Sequence, residues 1–241
     1  MTGLLTRFRL HGELNDFLPV TERNVEFERT VGPTGTLKHI IESIGVPHTE
    51  IGEAIVNGAR RELSEPLAQG DCVEVFPPVT PLHLAYPKFV ADGHLGRLAA
   101  YLRMLGFDTW YDRFADDAQL ASISSSQQRV LLTRDVALLK RREVAQGYFV
   151  RHDKPHEQLR ELTYRFALHA EFDPFSRCMD CNGLLAPVEK SDVAELLPPH
   201  TRESKNKFSR CPNCGKIFWR GSHHARMLGW IRELEGERYL A

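Results

Sequence analysis

Apolar and polar positions along this chain follow two periods, and the period changes twice. Residues 6–12 (TRFRLHG) and 24–31 (NVEFERTV) alternate at period two, which predicts two antiparallel strands. Thr36 is placed to cap a helix over residues 37–45, and Gly45 to stop it. Residues 54–63 carry a strand and then Asn57-Gly58, a pair that favours positive φ and a tight hairpin. A last short strand falls within residues 71–79. The next stretch, residues 77–87, holds four prolines and reads as a boundary. Beyond it strands alternate with helices: strands at 88–92, 107–112, 129–133 and 147–153, helices at 96–106, 117–127, 135–145 and 155–169. Leu98, Tyr101, Leu102 and Leu105 form the apolar face of the first of these helices, and Gly106 ends it. From about Phe172 the periodicity weakens until the amphipathic stretch 223–240.

Regular alternation implies right-handed crossovers and a covered parallel sheet. The expected fold class is therefore α/β in three parts. Residues 1–80 resemble a ubiquitin-like β-grasp domain of the sulfur-carrier type. Residues 86–171 form a parallel-sheet domain, and residues 172–241 a zinc ribbon followed by a helix. Sulfur carriers end in a free Gly-Gly tail, whereas this segment runs on without one. A binding or scaffolding role suits it better than sulfur transfer.

Composition is ordinary for a globular chain, with 42% hydrophobic and 26% charged residues, which argues against disorder or a coiled coil. No apolar run approaches the roughly 20 residues of a membrane helix. The N-terminus lacks the basic and apolar regions of a signal peptide, so a cytoplasmic location is expected. The net charge of −1 hides an asymmetry. Residues 1–85 carry 7 basic and 12 acidic groups, while residues 202–226 carry seven basic residues and one acid. That tract could meet phosphates, or could be a solvated loop.

Parallel sheets gather reactive groups where the carboxyl ends of strands meet the following loops. Asp92, Asp112, Asp116, Asp117 and Asp135 all follow predicted strands in this way. Several carboxylates at one edge repel unless a cation neutralises them, and hard oxygen donors suit Mg²⁺ or Mn²⁺. Such a site fits phosphodiester hydrolysis. Each acid also has a plainer reading: a helix cap for Asp116, Asp117 or Asp135, a turn for Asp92, a surface position for Asp112. The joint placement favours Asp92, Asp117 and Asp135. Arg134 adjoins the same edge, whereas Arg97 and Arg103 read as the polar face of an amphipathic helix. His94, beside Asp92, reads as a solvated loop residue.

The ordered set FVADGHLGRLAAYLRMLGFD, DDAQLA, RVLLTRDVALLK and RHDKPHEQLRE, with the cysteine pairs and FWRGSHHARM, resembles the Mut-seven C-terminal RNase domain. That family belongs to the PIN-like nucleases and commonly carries an N-terminal ubiquitin-like domain. The resemblance covers about residues 86–235. It implies a PIN-like three-layer fold and metal-dependent ribonuclease chemistry, with RNA as substrate. Asp92, Asp117 and Asp135 match its acidic positions, Thr133 and Arg134 share its threonine-arginine-aspartate motif, and His223 falls in its Gly-Ser-His piece.

Cys178-x-x-Cys181 and Cys211-x-x-Cys214, with 29 residues between them, can present four thiolates to one zinc ion. Disulfides and redox catalysis suit a cytosolic, duplicated arrangement less well. A saturated site has no open position, so this zinc is expected to be structural. Gly183 and Gly215 are expected to ease the knuckle turns, and residues 182–210 to form a loop or hairpin. Cys72 is expected in the core of a strand. Phe218 and Trp219, beside Lys216 and Arg220, could stack bases or pack the ribbon core.

Two functions follow from different classes. One is a Mg²⁺- or Mn²⁺-dependent ribonuclease with a structural zinc ribbon that assists RNA binding and a β-grasp domain that recruits a protein partner. The other is a non-catalytic RNA- or protein-binding adaptor, in which the acids only cap helices. Neither involves a membrane, and neither sets an oligomeric state.

Overall fold

The computed structural model describes residues 3–237, so residues 238–240 of the amphipathic stretch lie outside the described residues. The chain forms two compact units. One takes the residues up to Leu82 with Asp116–Arg151, and the other His83–Ala115 with the residues from His152 onward. Among the described residues no helix is long and apolar enough to cross a membrane.

The chain opens with β1 (Leu4–Leu10), β2 (Phe27–Val31), α1 (Leu37–Ser43), β3 (Glu53–Val56), β4 (Ala59–Arg61) and β5 (Cys72–Phe76). These five strands lie in the order β2-β1-β5-β3-β4. The central pair β1 and β5 is parallel and the other pairs are antiparallel. A mixed sheet of this order with one helix laid across it is the expected β-grasp. Thr36 Oγ1 accepts from His39 N at 3.3 Å and starts α1. Leu37, Ile40 and Ile41 of α1 then pack on Phe8, Leu10, Val73 and Val75. Asn57 (φ 51°) and Gly58 (φ 80°) turn β3 into β4, as that dipeptide predicts. Cys72 departs from expectation. Period two puts Val73 and Val75 into the core and leaves Cys72 half-buried on the other face.

The alternating stretch follows as β6 (Phe89–Ala91), α2 (Gly96–Met104), β7 (Thr109–Tyr111), α3 (Asp117–Ser126), β8 (Val130–Thr133), α4 (Val136–Leu139), β9 (Gly147–Phe149) and α5 (Pro155–Arg165). Within one unit β6 pairs in parallel with β7, and within the other β8 pairs in parallel with β9. Leu98, Leu102 and Leu105 are buried as predicted. Helix α4 is shorter than the expected 135–145, ending after Leu139. Gly106 turns the chain at φ +101°, and a Cβ there would lie 2.5 Å from the carbonyl oxygen of Asp173.

The last third holds β10 (Ala186–Val188), α6 (Lys190–Val193), α7 (Pro199–Ser204), β11 (Phe208–Arg210), β12 (Ile217–Trp219) and α8 (Ser222–Glu237). Strands β10, β11 and β12 make a small antiparallel sheet. Val193, Leu197 and Phe208 are its buried centre, with Ile217 and Trp219 packed against them. The stretch expected as a loop or hairpin therefore carries a strand and two short helices before β11.

Candidate active site and four-cysteine centre

The unit containing β6 and β7 places two carboxylates at neighbouring strand ends. Ala91 is in register with Tyr111, so Asp92 and Asp112 follow paired residues of parallel strands. Asp92 caps a short 3-10 turn, accepting from Gly93 N at 2.5 Å. Its other oxygen lies 3.2 Å from His94 Nδ1. Tyr111 Oη donates to the Gly93 carbonyl at 2.9 Å and fixes that turn. Asp112 is exposed and accepts from Phe114 N at 3.0 Å, the local turn bond of an aspartate that closes a loop.

The other unit carries the remaining acids at the starts of two helices. Asp116 caps α3, accepting from Gln119 N at 2.8 Å, and the exposed Asp117 sits in its first turn. Asp135 caps α4, accepting from Ala137 N at 2.7 Å and Leu138 N at 3.3 Å. Thr133, fully buried at the end of β8, accepts from Asp135 N at 2.9 Å and orients that cap. Arg134 lies half-buried between them. Helix α3 connects to β8 through residues 127–129.

The cysteines come together. Among the described residues they are the one group of three or more His, Cys, Asp or Glu side chains whose ligand atoms already stand close enough to hold an ion, and Asp92, Asp117 and Asp135 are not gathered in that way. All four sulfurs lie within 4.8 Å of one another. Cys178 Sγ is 3.7 Å from Cys214 Sγ, and Cys181 Sγ is 3.3 Å from Cys211 Sγ. A tetrahedral zinc with Zn–S bonds of about 2.3 Å needs sulfurs about 3.8 Å apart, so the donor set fits zinc. Burial pushes the Cys181 thiol up to about 12. Burial also works against the Cys211 thiolate, but the Cys214 and Asn213 amides and the Cys181 thiol hold it down to about 7. In the second knuckle Gly215 supplies the left-handed turn at φ +76°. In the first knuckle that turn falls on Asn182 (φ 70°) rather than on Gly183, whose Cβ would meet Cys211 Sγ at 3.1 Å.

The Mut7-C RNAse domain matches residues 87–231, and the Mut7-C ubiquitin domain matches residues 4–83. The chain belongs to the Mut7-C RNAse domain family. A nuclease-type function follows in general terms from that membership. No curated protein matches the chain. Among solved structures, the crystal structure of SAMP1 from Haloferax volcanii is similar at 19% identity. That match covers 31% of this chain and 96% of that one, with a TM-score of 0.25.

Two features of this Mut7-C domain escaped the pattern of its residues. Arg103, expected on the polar face of α2, is 4% exposed. It donates to the carbonyls of Thr109 (2.9 Å), Met179 (3.1 Å) and Asp180 (2.8 Å), and so joins the first knuckle to α2 and β7. Burial lowers its pKa, and the neighbouring cysteines and acids act in the opposite sense. Asn182 adds a second joint. Its Oδ1 accepts from Thr109 N at 3.0 Å, and its Nδ2 donates to Asp108 at 2.7 Å. Only the spacing of Arg103 from the buried Ala99, one helical turn earlier, could have marked it as inward. Arg103→Met is expected to leave carbonyls unsatisfied and to cost about 1–3 kcal/mol per orphaned group, read as a lower denaturant midpoint.

The histidines differ. His223 is exposed in the first turn of α8. His224 stacks on Phe175, with ring centroids 4.3 Å apart. Burial, and then the Arg220 charge, hold its pKa below the ordinary histidine value.

Proposed function

We propose that this chain is a divalent-metal-dependent ribonuclease, with Asp92, Asp117 and Asp135 as the metal-holding acids. The match of the Mut7-C RNAse domain to residues 87–231 carries this reading. Carboxylates at the carboxyl ends of parallel strands support it, because hard oxygen donors suit Mg²⁺ or Mn²⁺. Such an ion, when bound, supplies the charge that lowers the pKa of a water and steadies a leaving oxygen. Arg134 meets a phosphate beside Asp135, and Thr133 fixes Asp135 through its amide. Asp112 and Asp116 shape the flanking turns, and His223 has a supporting role near the RNA. The four-cysteine centre holds a structural zinc, and the basic tract 202–226 positions the strand. The β-grasp domain recruits a protein partner in the cytoplasm. The proposed domain limits are 1–80, 86–171 and 172–241.

The adaptor reading has one observation of its own: Asp92, Asp116 and Asp135 each cap a helix or turn. Aspartate-to-asparagine substitution separates the two readings, because asparagine caps as well as aspartate but carries no charge. Asp92→Asn and Asp135→Asn are expected to fold normally and to lose Mg²⁺- or Mn²⁺-dependent cleavage of labelled single-stranded RNA by about 10²-fold or more. A wild-type chain that binds RNA but cuts none in either metal supports the adaptor instead.

A further inference from the structure

The ribbon carries a groove of about 920 Å³, lined in part by the basic tract 202–226. It lies among the chain after Asp173, the strands β10 to β12 and the first turns of α8, all within one unit. Its charge is one-sided: Arg177, Lys207, Lys216 and Arg220 line it against a single carboxylate, Glu189. Two of the cations are already engaged. Arg177 donates to the carbonyls of Gly106 and Asn182, and Lys216 pairs with Asp180. Lys207 and Arg220 are exposed, and neither has a hydrogen-bond or ion-pair partner among the described residues.

Between these cations lie planar rings. Phe175 and His224 form one stack, with ring planes 29° apart. Phe218 is half-exposed, with Lys216 Nζ 5.9 Å from its centroid. Trp219 packs toward Val193, Leu197 and Phe208, so the core-packing alternative holds for that aromatic. Strand alternation turns Phe218 to the opposite face from Trp219, away from that core.

We infer that this groove binds one or two unstacked nucleotides of single-stranded RNA, with Phe218 as the base platform and Lys207 and Arg220 as phosphate contacts. The inference rests on the RNA reading above and adds the form of the substrate. A duplex keeps its bases stacked on one another, whereas a single strand can offer a free π-face to a ring. Excess positive charge beside that ring then holds the backbone. A groove built for an apolar peptide would need neither unpaired cation.

The test measures binding by full-length, zinc-loaded protein with no Mg²⁺ or Mn²⁺ added, so cleavage does not enter. The probes are a fluorescent 12-nucleotide oligouridylate, a duplex of the same length and a labelled polyglutamate peptide. The single strand is expected to bind best, and more weakly as salt rises. Phe218→Leu, which keeps apolar bulk, and Arg220→Ala are each expected to weaken it by about 5- to 100-fold. Phe218→Tyr is expected to restore binding, because the ring returns. Equal affinity in wild type, Phe218→Leu and Arg220→Ala overturns the groove, even if the enzyme still cuts. Preference for the duplex or for polyglutamate overturns it as well. Groove-dependent binding without any metal-dependent cleavage overturns the nuclease reading and leaves the groove standing.

Discussion

Withdrawing zinc with a chelator is expected to unfold the region from residue 172 onward, and to loosen β7 and the end of α2 with it. The four thiols crowd within 4.8 Å of one another, and without an ion only weak sulfur–sulfur contacts offset that crowding. Zinc bound to such a site typically supplies about 10–16 kcal/mol of apparent free energy, comparable to a whole domain's stability. The small sheet cannot replace it, because among the described residues its buried apolar cluster is no more than Val193, Leu197 and Phe208. The effect spreads because the first knuckle is bonded into the neighbouring elements. Arg103 holds the Met179 and Asp180 carbonyls, and Asn182 holds the Thr109 amide. Asp173 N and Phe175 N donate to the carbonyls of Leu105 and Met104 at 2.9 Å each.

Elemental analysis should find about one zinc per chain, as four thiolates saturate one ion. Hydrogen exchange should then show protection lost at Cys178, Cys211 and Thr109 on chelation, while amides of β1 and β5 stay protected. Cys211→Ser should behave as the chelated protein does. Carefully prepared protein that holds no zinc yet keeps those amides protected rules out a zinc-built ribbon.

The parts of the structure legible in the sequence are those set by neighbours along the chain. Thr36 caps α1, Asn57-Gly58 turns a hairpin and Gly106 stops α2, because each depends on backbone preference within a few residues. The two Cys-x-x-Cys pairs announce a four-thiol centre for the same reason. Arg103 looked exposed because its partners, the carbonyls of Met179 and Asp180, lie more than 70 positions away. Cys72 looked buried because a strand's membership in a sheet is easier to read than which of its faces meets the core. Helix α4 stops early because the chain tightens after Lys140 into turns that bond three residues back, Arg141 N to the Leu138 carbonyl at 3.2 Å and Val144 N to the Arg141 carbonyl at 3.0 Å. The same limit applies to the aspartates. Their positions after strands are readable, while their cap bonds, such as Asp135 to Ala137 and Leu138, emerge only in the folded backbone.

Glu50→Ala is expected to destabilise the unit that joins the β-grasp fold to residues 116–151 by about 3–5 kcal/mol. Glu50 is fully buried, a rare place for a carboxylate without partners. Its Oε1 accepts from Phe149 N at 2.7 Å, and its Oε2 accepts from Arg151 Nη2 at 2.9 Å. Arg151 in turn donates to Asp16 and to the Phe149 carbonyl, with its guanidinium near the rings of Phe17 and Tyr148. Burial opposes the Arg151 charge, but Glu50 outweighs it and raises the pKa above the ordinary arginine value. The guanidinium therefore stays charged, and removing Glu50 takes away its one fully buried carboxylate and leaves only the more exposed Asp16 and Glu13 beside it. His48 continues the same seam, with Nδ1 2.7 Å from Glu42 and Nε2 2.8 Å from the Val144 carbonyl. The β-grasp fold is thus built into residues 116–151, unlike a tethered carrier. Urea titration of the full chain should show a lower midpoint for Glu50→Ala and for Arg151→Ala, each with the slope of the wild type. The double variant Glu50→Leu with Arg151→Met should cost clearly less than the sum of the single losses, because no charge is left stranded. Additive losses, or a Glu50→Ala cost below about 1 kcal/mol, would mean that the pair adds no more than an exposed ion pair does.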